Sequence, residues 1–360
     1  MSGLLIRLFL GTALGLSCTL PAITPVMAGT ALSPPFSVRQ PVGAGTRLSC
    51  PSAIPPVRIL SVTSKYGNDG PKRDTVDPDA QAQEDIDMAP LREFEKTVVK
   101  FANLYQEGGD PAAAECALSW LASWADGDAL GQMQDHNAEY QRGVALAAAG
   151  LAMMQISPAI AADPRRIRVT RWLQDRAQAS AAYYQSVSNV ASSHNNHADW
   201  AALGVAAAAV ESGDRSLLAW SAAVYRETLC SATPEGALPL ELKRGKKALA
   251  YHLYTLNALL PLAAILDRNQ VATFSDCNGA LHRIVGFTLN GLSDPSRITA
   301  LNGDAQDRYP HGLPPANQVA FIEIYHRFFP GKAPMETELL ALRPLISTAM
   351  GGDQTLLYQR

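Results

Sequence analysis

The sequence predicts an all-α protein. Beyond residue 89, apolar residues recur at spacings of three and four, which is the periodicity of helices with one buried face. The alternation expected of half-buried strands is absent over any useful length. An (α/α) toroid or a helical solenoid satisfies this pattern, and the lack of a fixed-period repeat counts against the solenoid.

The first residues are expected to be an export signal and not part of the fold. Arg7 supplies a positive start, an apolar run covers residues 8–16, and residues 26–28 (Val-Met-Ala) form a small-x-small cleavage site. That run is too short to span a bilayer. We therefore predict a signal peptide over residues 1–28 and a periplasmic or secreted protein.

The mature chain, residues 29–360, is expected to be one domain and a monomer without membrane contact. We expect no further apolar run of membrane-spanning length. A lipoprotein anchored through Cys18 is an alternative, but Gly15 occupies the position three before it, where an apolar side chain is usual. The net charge of −3 and the lack of a basic tract argue against nucleic-acid binding. If the partner is a polyanion, positive charge must be concentrated in a groove.

The cysteines predict two disulfides. Once Cys18 leaves with the signal, Cys50, Cys116, Cys230 and Cys277 remain, and an even number in an exported protein favours pairing over free buried thiols. Three pairings are possible. We favour Cys50–Cys116, which would tie an irregular N-terminal arm to a helix, together with Cys230–Cys277. No Cys-x-x-Cys spacing suggests a zinc ribbon.

Taken in order, the elements begin with an arm and a loop. Residues 29–58 are rich in Pro and Gly and are expected to be extended, and residues 64–87 are polar enough to predict a long mobile loop. The segment 144–154 is almost wholly apolar, which predicts a buried inner helix. The predicted helices cover residues 91–101, 112–124, 144–154, 165–186, 200–210, 215–229, 241–266, 278–289 and 318–328.

One predicted helix carries a polar and aromatic stripe. On a helix over residues 240–257, Arg244, Lys247, Tyr251 and Tyr254 fall within an arc of about 80°. A solvated face is the usual fate of Lys and Arg, but two tyrosines are less usual there, so the stripe is a candidate site. The opposite face carries four leucines, Leu242, Leu249, Leu253 and Leu256.

A second candidate precedes the helix that contains Trp200. Asn195 or Asn196 can cap that helix, which would leave His197 as a surface residue. Alternatively, the helix N-terminus is an anion site, with Asn196 and His197 directed at a carboxylate. His194 and His197 have a metal-like spacing, but no nearby carboxylate or cysteine pattern completes a metal site.

These segments resemble the mannuronate-specific alginate lyases of polysaccharide lyase family 5. The resemblance implies an incomplete (α/α) toroid or barrel with a deep groove, and residues 64–87 would be a lid loop that brings Lys65 and Tyr66 over the substrate. The matching segments are residues 64–66, 115–124, 195–197 with Trp200, 238–244, 248–254 and 351–353.

The resemblance also implies a reaction, β-elimination in poly(β-D-mannuronate), for which no metal or organic cofactor is needed. Asn196, His197 and Arg244 would stabilise the negative charge that develops when the proton beside the uronate carboxylate leaves. Tyr251 would take that proton and return one to the leaving oxygen, although His197 could share the role of base. Carried over from the family, the catalytic residues are Asn196, His197, Arg244 and Tyr251, and the lid would supply Lys65 and Tyr66 as substrate-binding residues. The other substrate-binding candidates are Lys247 of the stripe, and Tyr254 and Trp200, which could stack on sugar faces; a core position is the alternative for Trp200.

Two departures from the family pattern bear on the choice of uronic acid. Ala198-Asp199 stands where Ser-Tyr is usual, and Ala349-Met350 stands where an arginine precedes the terminal Gly-Gly-Asp. A polyglucuronate lyase or a lyase of several polyuronates is therefore an alternative, as is a catalytically silent polysaccharide-binding protein. A glycoside hydrolase would need two carboxyl groups in the groove, for which Glu241 and Asp199 are the candidates.

Overall fold

The computed structural model describes residues 31–43, 48–66, 70–309 and 312–359. The predicted signal peptide, residues 1–28, lies outside these ranges, so its cleavage and the export that it implies stay predictions.

The predicted all-α class is confirmed over the described residues. The helices are α1 (Pro78–Gly108), α2 (Pro111–Asp126), α3 (His136–Ile156), α4 (Arg165–Ser186), α5 (Asn196–Ser212), α6 (Arg215–Ser231), α7 (Pro239–Leu242), α8 (Ala248–Arg268), α9 (Asp276–Ser293), α10 (Ser296–Asn302), α11 (Phe321–Phe328), α12 (Glu336–Leu340) and α13 (Gln354–Tyr358).

Strands contribute little to the described part of the chain. Parallel strands β1 (Ile59–Leu60) and β2 (Gln132–Met133) pair Ile59 with Gln132. Antiparallel strands β3 (Ile346–Ser347) and β4 (Gly352–Asp353) pair Ile346 with Asp353. Each pair anchors a loop at the margin of the helical body.

The helices form two layers of an incomplete (α/α) toroid, as predicted. Inner helices α1, α3, α5, α8 and α11 contact one another in that order, and each of the first four packs on the next outer helix, α2, α4, α6 or α9. The composition explains the layers, because α3, α5 and α8 are buried around most of their circumference. Outer helices such as α4 and α6 bury one face only.

Inner helices α3 and α5 approach unusually closely through small residues. A Cβ added at Gly143 would lie 2.8 Å from the Ala201 Cα, and one at Gly150 would lie 2.7 Å from the Ala207 Cβ. The residue numbers increase together in the two contacts, from Gly143 to Gly150 on α3 and from Ala201 to Ala207 on α5, so the two helices run parallel. Their N-terminal ends therefore lie side by side at the same end of the toroid.

The predicted continuous helix over residues 240–257 is wrong. Helix α7 ends at Leu242, a 3₁₀ turn follows over Gly245–Lys247, and α8 begins at Ala248. Gly245 has a φ of 55°, and a Cβ there would lie 2.1 Å from the Asp74 carboxylate oxygen. The helix breaks because a loop from far earlier in the chain packs against this glycine, which alone among residue types accepts both the conformation and the contact.

The predicted loop over residues 64–87 is too long at its C-terminal end. Helix α1 starts at Pro78, and the Asp77 side chain caps it by accepting hydrogen bonds from the Asp79 and Ala80 N–H groups. Residues 78–87 are therefore helical although their composition is that of a loop. The loop proper covers residues 64–77, of which 67–69 lie outside the described ranges.

Both predicted disulfides are present. Cys50–Cys116 joins the N-terminal arm to α2, with 5.6 Å between the Cα atoms. Cys230–Cys277 joins the end of α6 to the start of α9, with 5.2 Å between the Cα atoms. Each disulfide joins residues that are far apart in the sequence, so it lowers the conformational entropy of the unfolded chain.

The expectation that no further apolar run has membrane-spanning length is wrong. Among the described residues, the stretch Gly245–Arg268 is long and apolar enough to cross a bilayer, but 83% of its most apolar window is buried inside the protein. Leu249, Leu253 and Leu256 point into the core, as the helical pattern predicted. The apolar length of α8 therefore reflects its place in the inner layer.

Candidate active site

A cavity of about 620 Å³ opens at the end of the toroid where the inner helices begin. The first turns of α3, α5 and α8 line it, together with α1, the 64–77 loop and residues 346–349. Helix N-termini carry partial positive charge and unpaired N–H groups, so three of them around one cavity favour an anionic ligand. All nine residues predicted from the sequence line this cavity: Lys65, Tyr66, Asn196, His197, Trp200, Arg244, Lys247, Tyr251 and Tyr254.

The Tyr251 hydroxyl lies at the centre of a polar cluster. It is 2.6 Å from the Tyr66 hydroxyl, and the Arg244 Nη2 donates to it over 2.7 Å. The Arg244 guanidinium also lies over the Tyr251 ring, 3.6 Å from the ring centroid. Because Arg244 and Tyr251 are on separate elements, this contact depends on the turn at Gly245–Lys247 and not on the periodicity of one helix.

The loop holds Arg244 in place. Arg244 donates from Nε to the Lys72 carbonyl over 3.0 Å and from Nη2 to the Arg73 carbonyl over 2.8 Å. The Lys72 Nζ donates to the Asp304 carboxylate over 2.7 Å, which ties the loop to the end of α10. In this arrangement, Tyr66 and the backbone of residues 72–73 cover Tyr251.

Burial governs the ionisation of Tyr251. It raises the pKa of the phenol above its usual range, while the adjacent Arg244 cation opposes it less strongly. The tyrosine is therefore a phenol when the cavity is empty.

His197 lies between two rings that sequence reasoning missed. Its ring stacks on Tyr140, with centroids 4.1 Å apart, and its Nδ1 lies 3.2 Å from the Nε2 of His136. Burial first, then His136 and Arg244, lower the pKa of His197 to about 3, so it is neutral at physiological pH. No signal in the sequence pointed to His136, which directly follows the helix cap Asp135 and resembles a surface histidine at a helix start.

Asn196 is directed differently from the prediction. Its backbone N–H donates to Glu241 over 2.9 Å, and its side-chain Nδ2 donates to both Glu241 carboxylate oxygens, over 3.1 and 3.0 Å. Asn195 caps α5 by accepting from the His197 N–H. Glu241 therefore orients Asn196, whose side-chain oxygen has no hydrogen-bond partner among the described residues.

The aromatic residues differ in how far they reach the cavity. Trp200 is 1% exposed and packs 5.1 Å from the Tyr254 ring, so it forms the base of the cavity and not an open stacking platform. The Tyr254 hydroxyl contacts that of Tyr140. Lys247 lies 3.5 Å from Asp307 at the rim.

The two candidate carboxylates of a hydrolase are not in the cavity. Asp199 is fully buried and accepts a hydrogen bond from Thr228 over 2.6 Å, and Glu241 is 1% exposed and held by Asn196. Two other carboxylates, Glu84 and Glu95, line the cavity from α1. Burial raises the pKa of Glu95 to about 8, against the smaller opposing effect of Arg92.

His194 and His197, whose spacing is that of metal ligands, do not face a common site. His194 contacts Glu227 through Nδ1 and the Ser188 carbonyl through Nε2, over 2.6 Å for the latter. His197 instead faces His136. Among the described residues, no group of three or more His, Cys, Asp or Glu side chains could hold a metal ion.

Ala349, one of the two residues that stand where an arginine was expected from the family pattern, forms part of the cavity edge. The segment is held by Gly351, whose carbonyl accepts from Asn103 over 2.9 Å and from Gln155 over 2.8 Å. Met350 is buried, so of these two residues Ala349 is the one that lines the cavity. This edge carries no charge at that position.

Comparison with known proteins identifies the family. The family model described as alginate lyase matches residues 56–298. The chain is 32% identical to a polysaccharide lyase of Stenotrophomonas maltophilia over 313 residues, covering 85% of this chain and 89% of the relative. It is 30% identical to an alginate lyase of Azotobacter vinelandii over 360 residues, covering 96% and 95%.

Solved structures give the same fold. A variant of alginate lyase A1-III complexed with a tetrasaccharide superimposes with a TM-score of 0.72 at 23% identity, covering 89% of this chain and 88% of that one. The A1-III enzyme from Sphingomonas species A1 gives a TM-score of 0.66 at 24% identity. The family model and the relatives at 30% and 32% identity show that the chain belongs to the alginate lyase family.

Proposed function

We propose that the protein is a polysaccharide lyase that cleaves alginate at β-D-mannuronate residues by β-elimination and leaves unsaturated uronate ends. The observation that carries the proposal is the Tyr251 hydroxyl, held 2.6 Å from Tyr66 and 2.7 Å from Arg244 where three helix N-termini meet. The alginate lyase relatives and the tetrasaccharide complex of A1-III support an acidic polysaccharide as substrate. The two disulfides fit a periplasmic or extracellular enzyme.

The first task of the site is to bind the uronate carboxylate. The proton on C5 is very weakly acidic while that carboxylate is fully charged. Hydrogen bonds and positive charge around the carboxylate stabilise the enolate-like dianion that forms when the proton leaves. Arg244, His197 and the N-terminus of α5 supply these groups, and Glu241 keeps Asn196 at that N-terminus.

The second task is proton transfer, which we assign to Tyr251. The phenolate form takes the C5 proton, the C5–H electrons form the C4=C5 double bond, and the C4–O4 bond breaks. The same hydroxyl then donates its proton to O4, which is possible because both groups lie on one face of mannuronate. Since burial raises the pKa of Tyr251, the Arg244 cation must stabilise the phenolate.

We propose that residues 64–77 are a lid that closes over the bound polymer. Tyr66 reaches Tyr251 from this loop, and Arg244 binds the loop carbonyls of residues 72 and 73. Lys65 and Lys247 line the rim and would meet the carboxylates of neighbouring sugars. Closure would exclude water from the reacting sugar and strengthen these contacts.

A wider substrate range is the second candidate, because of Ala349. The missing cation at this edge removes one group that would recognise a carboxylate in a fixed place. Polyglucuronate or mixed polyuronates would then be accepted alongside mannuronate. A catalytically silent binding protein remains the alternative from another functional class.

Ultraviolet absorbance of the unsaturated product tests these possibilities. We expect polymannuronate to be cleaved faster than polyguluronate or polyglucuronate. Faster cleavage of polyglucuronate would establish the wider range instead. Polymer binding without any unsaturated product would mean a binding protein.

The variant Tyr251→Phe tests the assignment of the base. We expect it to lower kcat by at least about 10³-fold while polymer binding is largely retained, because the phenyl ring keeps the shape of the site and loses the proton. Tyr225→Phe is the matched control, since this tyrosine is buried outside the cavity. Equal loss of binding and cleavage in a folded Tyr251→Phe protein would contradict the acid and base role.

A further inference from the structure

Behind His197 lies a chain of hydrogen-bonding rings that leads away from the cavity. The Nδ1 of His197 is 3.2 Å from the Nε2 of His136, and the Nδ1 of His136 is 2.6 Å from the Tyr183 hydroxyl. The two imidazoles are nearly parallel, at 21°, with centroids 5.2 Å apart. Because Nδ1 of His197 is engaged by His136, Nε2 is the nitrogen that it can offer to a ligand.

The fold holds these rings in fixed positions. His136 is the first residue of α3 and His197 the second residue of α5. The two parallel helices touch along a seam in which a Cβ at Gly204 would lie 2.4 Å from the Gly143 carbonyl oxygen. Backbone contact of this kind leaves no room for the helices to approach further or slide, so the contact between the histidines is built into the inner layer.

Both histidines are neutral, so each ring carries one N–H proton. Burial lowers the pKa of each, and Arg73 on the loop lowers both further, while Asp135 opposes this at His136. A neutral imidazole donates from one nitrogen and accepts at the other. The ionisable groups facing the pair come from the loop, the Arg244 turn, α3 and its cap, and α4: Arg73, Arg244, Asp135, Tyr140 and Tyr183.

The direction of the chain follows from its outer end. A phenol O–H is a good donor, and an imidazole nitrogen is a better acceptor than a phenol oxygen. Tyr183 therefore donates to Nδ1 of His136, which in turn donates from Nε2 to Nδ1 of His197. The proton on His197 is then on Nε2, the nitrogen on the cavity side.

We propose that His136 and Tyr183 are positioning residues that hold His197 as the Nε2–H tautomer, so that His197 donates a hydrogen bond to the substrate carboxylate and does not remove the C5 proton. This inference rests on the proposed lyase function. It assigns the base role to Tyr251 alone. The opposite tautomer would direct a lone pair at the carboxylate and repel it.

The tautomer can be measured in the free protein, without any assumption about activity. Long-range ¹H–¹⁵N spectra of histidine-labelled protein distinguish protonated from unprotonated ring nitrogens, and the spectra of His136→Gln and His197→Asn assign the signals. We expect Nδ1 of both histidines to be unprotonated and Nε2 of both to be protonated. A protonated Nδ1 on His197 would overturn the proposal, whether or not the protein cleaves alginate.

Tyr183→Phe tests the outer end of the chain. Without the phenol donor, the proton of His136 can move from Nε2 to Nδ1, so we expect mixed tautomers at His197. We expect kcat to fall by about twofold to tenfold, in proportion to the fraction of His197 that no longer carries its proton on Nε2. Tyr184→Phe is the matched control, because this neighbouring hydroxyl makes no contact with either histidine and has no hydrogen-bond partner among the described residues. A wild-type His197 spectrum in Tyr183→Phe would contradict the proposal.

Substitution of His136 separates positioning from packing. His136→Gln keeps an N–H donor for His197, whereas His136→Met has similar bulk and no donor. We expect Gln to retain the Nε2–H signal of His197 and most of kcat, and Met to lose both by about tenfold. Equal kcat values and equal His197 spectra in the two variants would mean that His136 only fills space. The expected tautomer in a protein that gives no unsaturated product would instead count against the lyase function.

Discussion

The floor of the cavity and its proposed lid are held by different kinds of contact. The floor consists of the first turns of α3, α5 and α8, which carry His136, His197 and Tyr251, and α3 and α5 touch through glycine and alanine. The lid, residues 64–77, is held by polar contacts at the surface, such as that of Lys72, whose side chain is 53% exposed, with Asp304. This difference fits the proposed function, in which the floor would stay fixed and residues 64–77 would move to admit the polymer.

The largest expected effect comes from widening the floor. Gly204→Ala places a methyl group 2.4 Å from the Gly143 carbonyl, so α3 and α5 must separate. We expect the free energy of unfolding to fall by about 1–3 kcal/mol, measured by urea denaturation. The matched control is Gly286→Ala on α9, where nothing lies within 4 Å of the new methyl group, and where stability should be unchanged or slightly higher. Equal effects at the two sites would mean that the seam does not fix the floor.

Glu95, on the α1 wall beside the floor, predicts a pH dependence. Its pKa in the folded protein, about 8, lies above that in the unfolded chain, so the folded state holds a proton that the unfolded state loses from about pH 4.5 upward. The contribution of Glu95 to the free energy of unfolding is therefore fully present below about pH 4.5, and it is lost as the pH rises from 4.5 to 8. Glu95→Gln should exceed the wild type in the free energy of unfolding at pH 8, by on the order of 2 kcal/mol, and not at pH 4.

The same carboxyl group should affect substrate binding. Above pH 8 the charged Glu95 would repel a polyuronate in the cavity, so KM of the wild type should rise there. Glu95→Gln should remove that rise. A KM profile identical in the two proteins would indicate that the polymer does not pass Glu95.

A smaller effect is expected at the edge between floor and lid. Ala349→Arg restores the cation of the family pattern, and we expect KM for polymannuronate to fall by about twofold to fivefold, as for a partly exposed ion pair. Cleavage rates on polyglucuronate provide the comparison. A parallel fall in KM for both polymers would show that this position adds charge without selecting a sugar.

The smallest effect on folding is expected in the lid itself. Asp304→Asn removes the partner of Lys72, and because the pair is exposed, the melting temperature should not change. Limited proteolysis should become faster within residues 64–77, and the salt dependence of polymer binding should change. A large loss of stability would mean that the lid belongs to the rigid part of the protein.

Several residues illustrate where prediction from sequence stopped. The pattern of leucines on α8 and the cap at Asn195 could be predicted because they depend on neighbours within a turn or two. The break at Gly245 could not, since it depends on Asp74 arriving from a distant loop. His136 has no feature of its own that distinguishes it from a surface histidine, and it gains a role only when α3 lies parallel to α5.

By itself, the sequence determined the all-α class, the presence of two disulfides and the nine side chains that now surround one cavity, because periodicity, cysteine number and family motifs can be read along the chain without its tertiary structure. Only the tertiary structure decided how those side chains act on one another. In the folded protein Asn196 donates hydrogen bonds to Glu241, and Arg244 reaches Tyr251 from a separate turn. His136 lies within hydrogen-bond distance of His197. The physical reason is that burial and pair contacts set hydrogen-bond direction and pKa, and both depend on residues far apart in the chain.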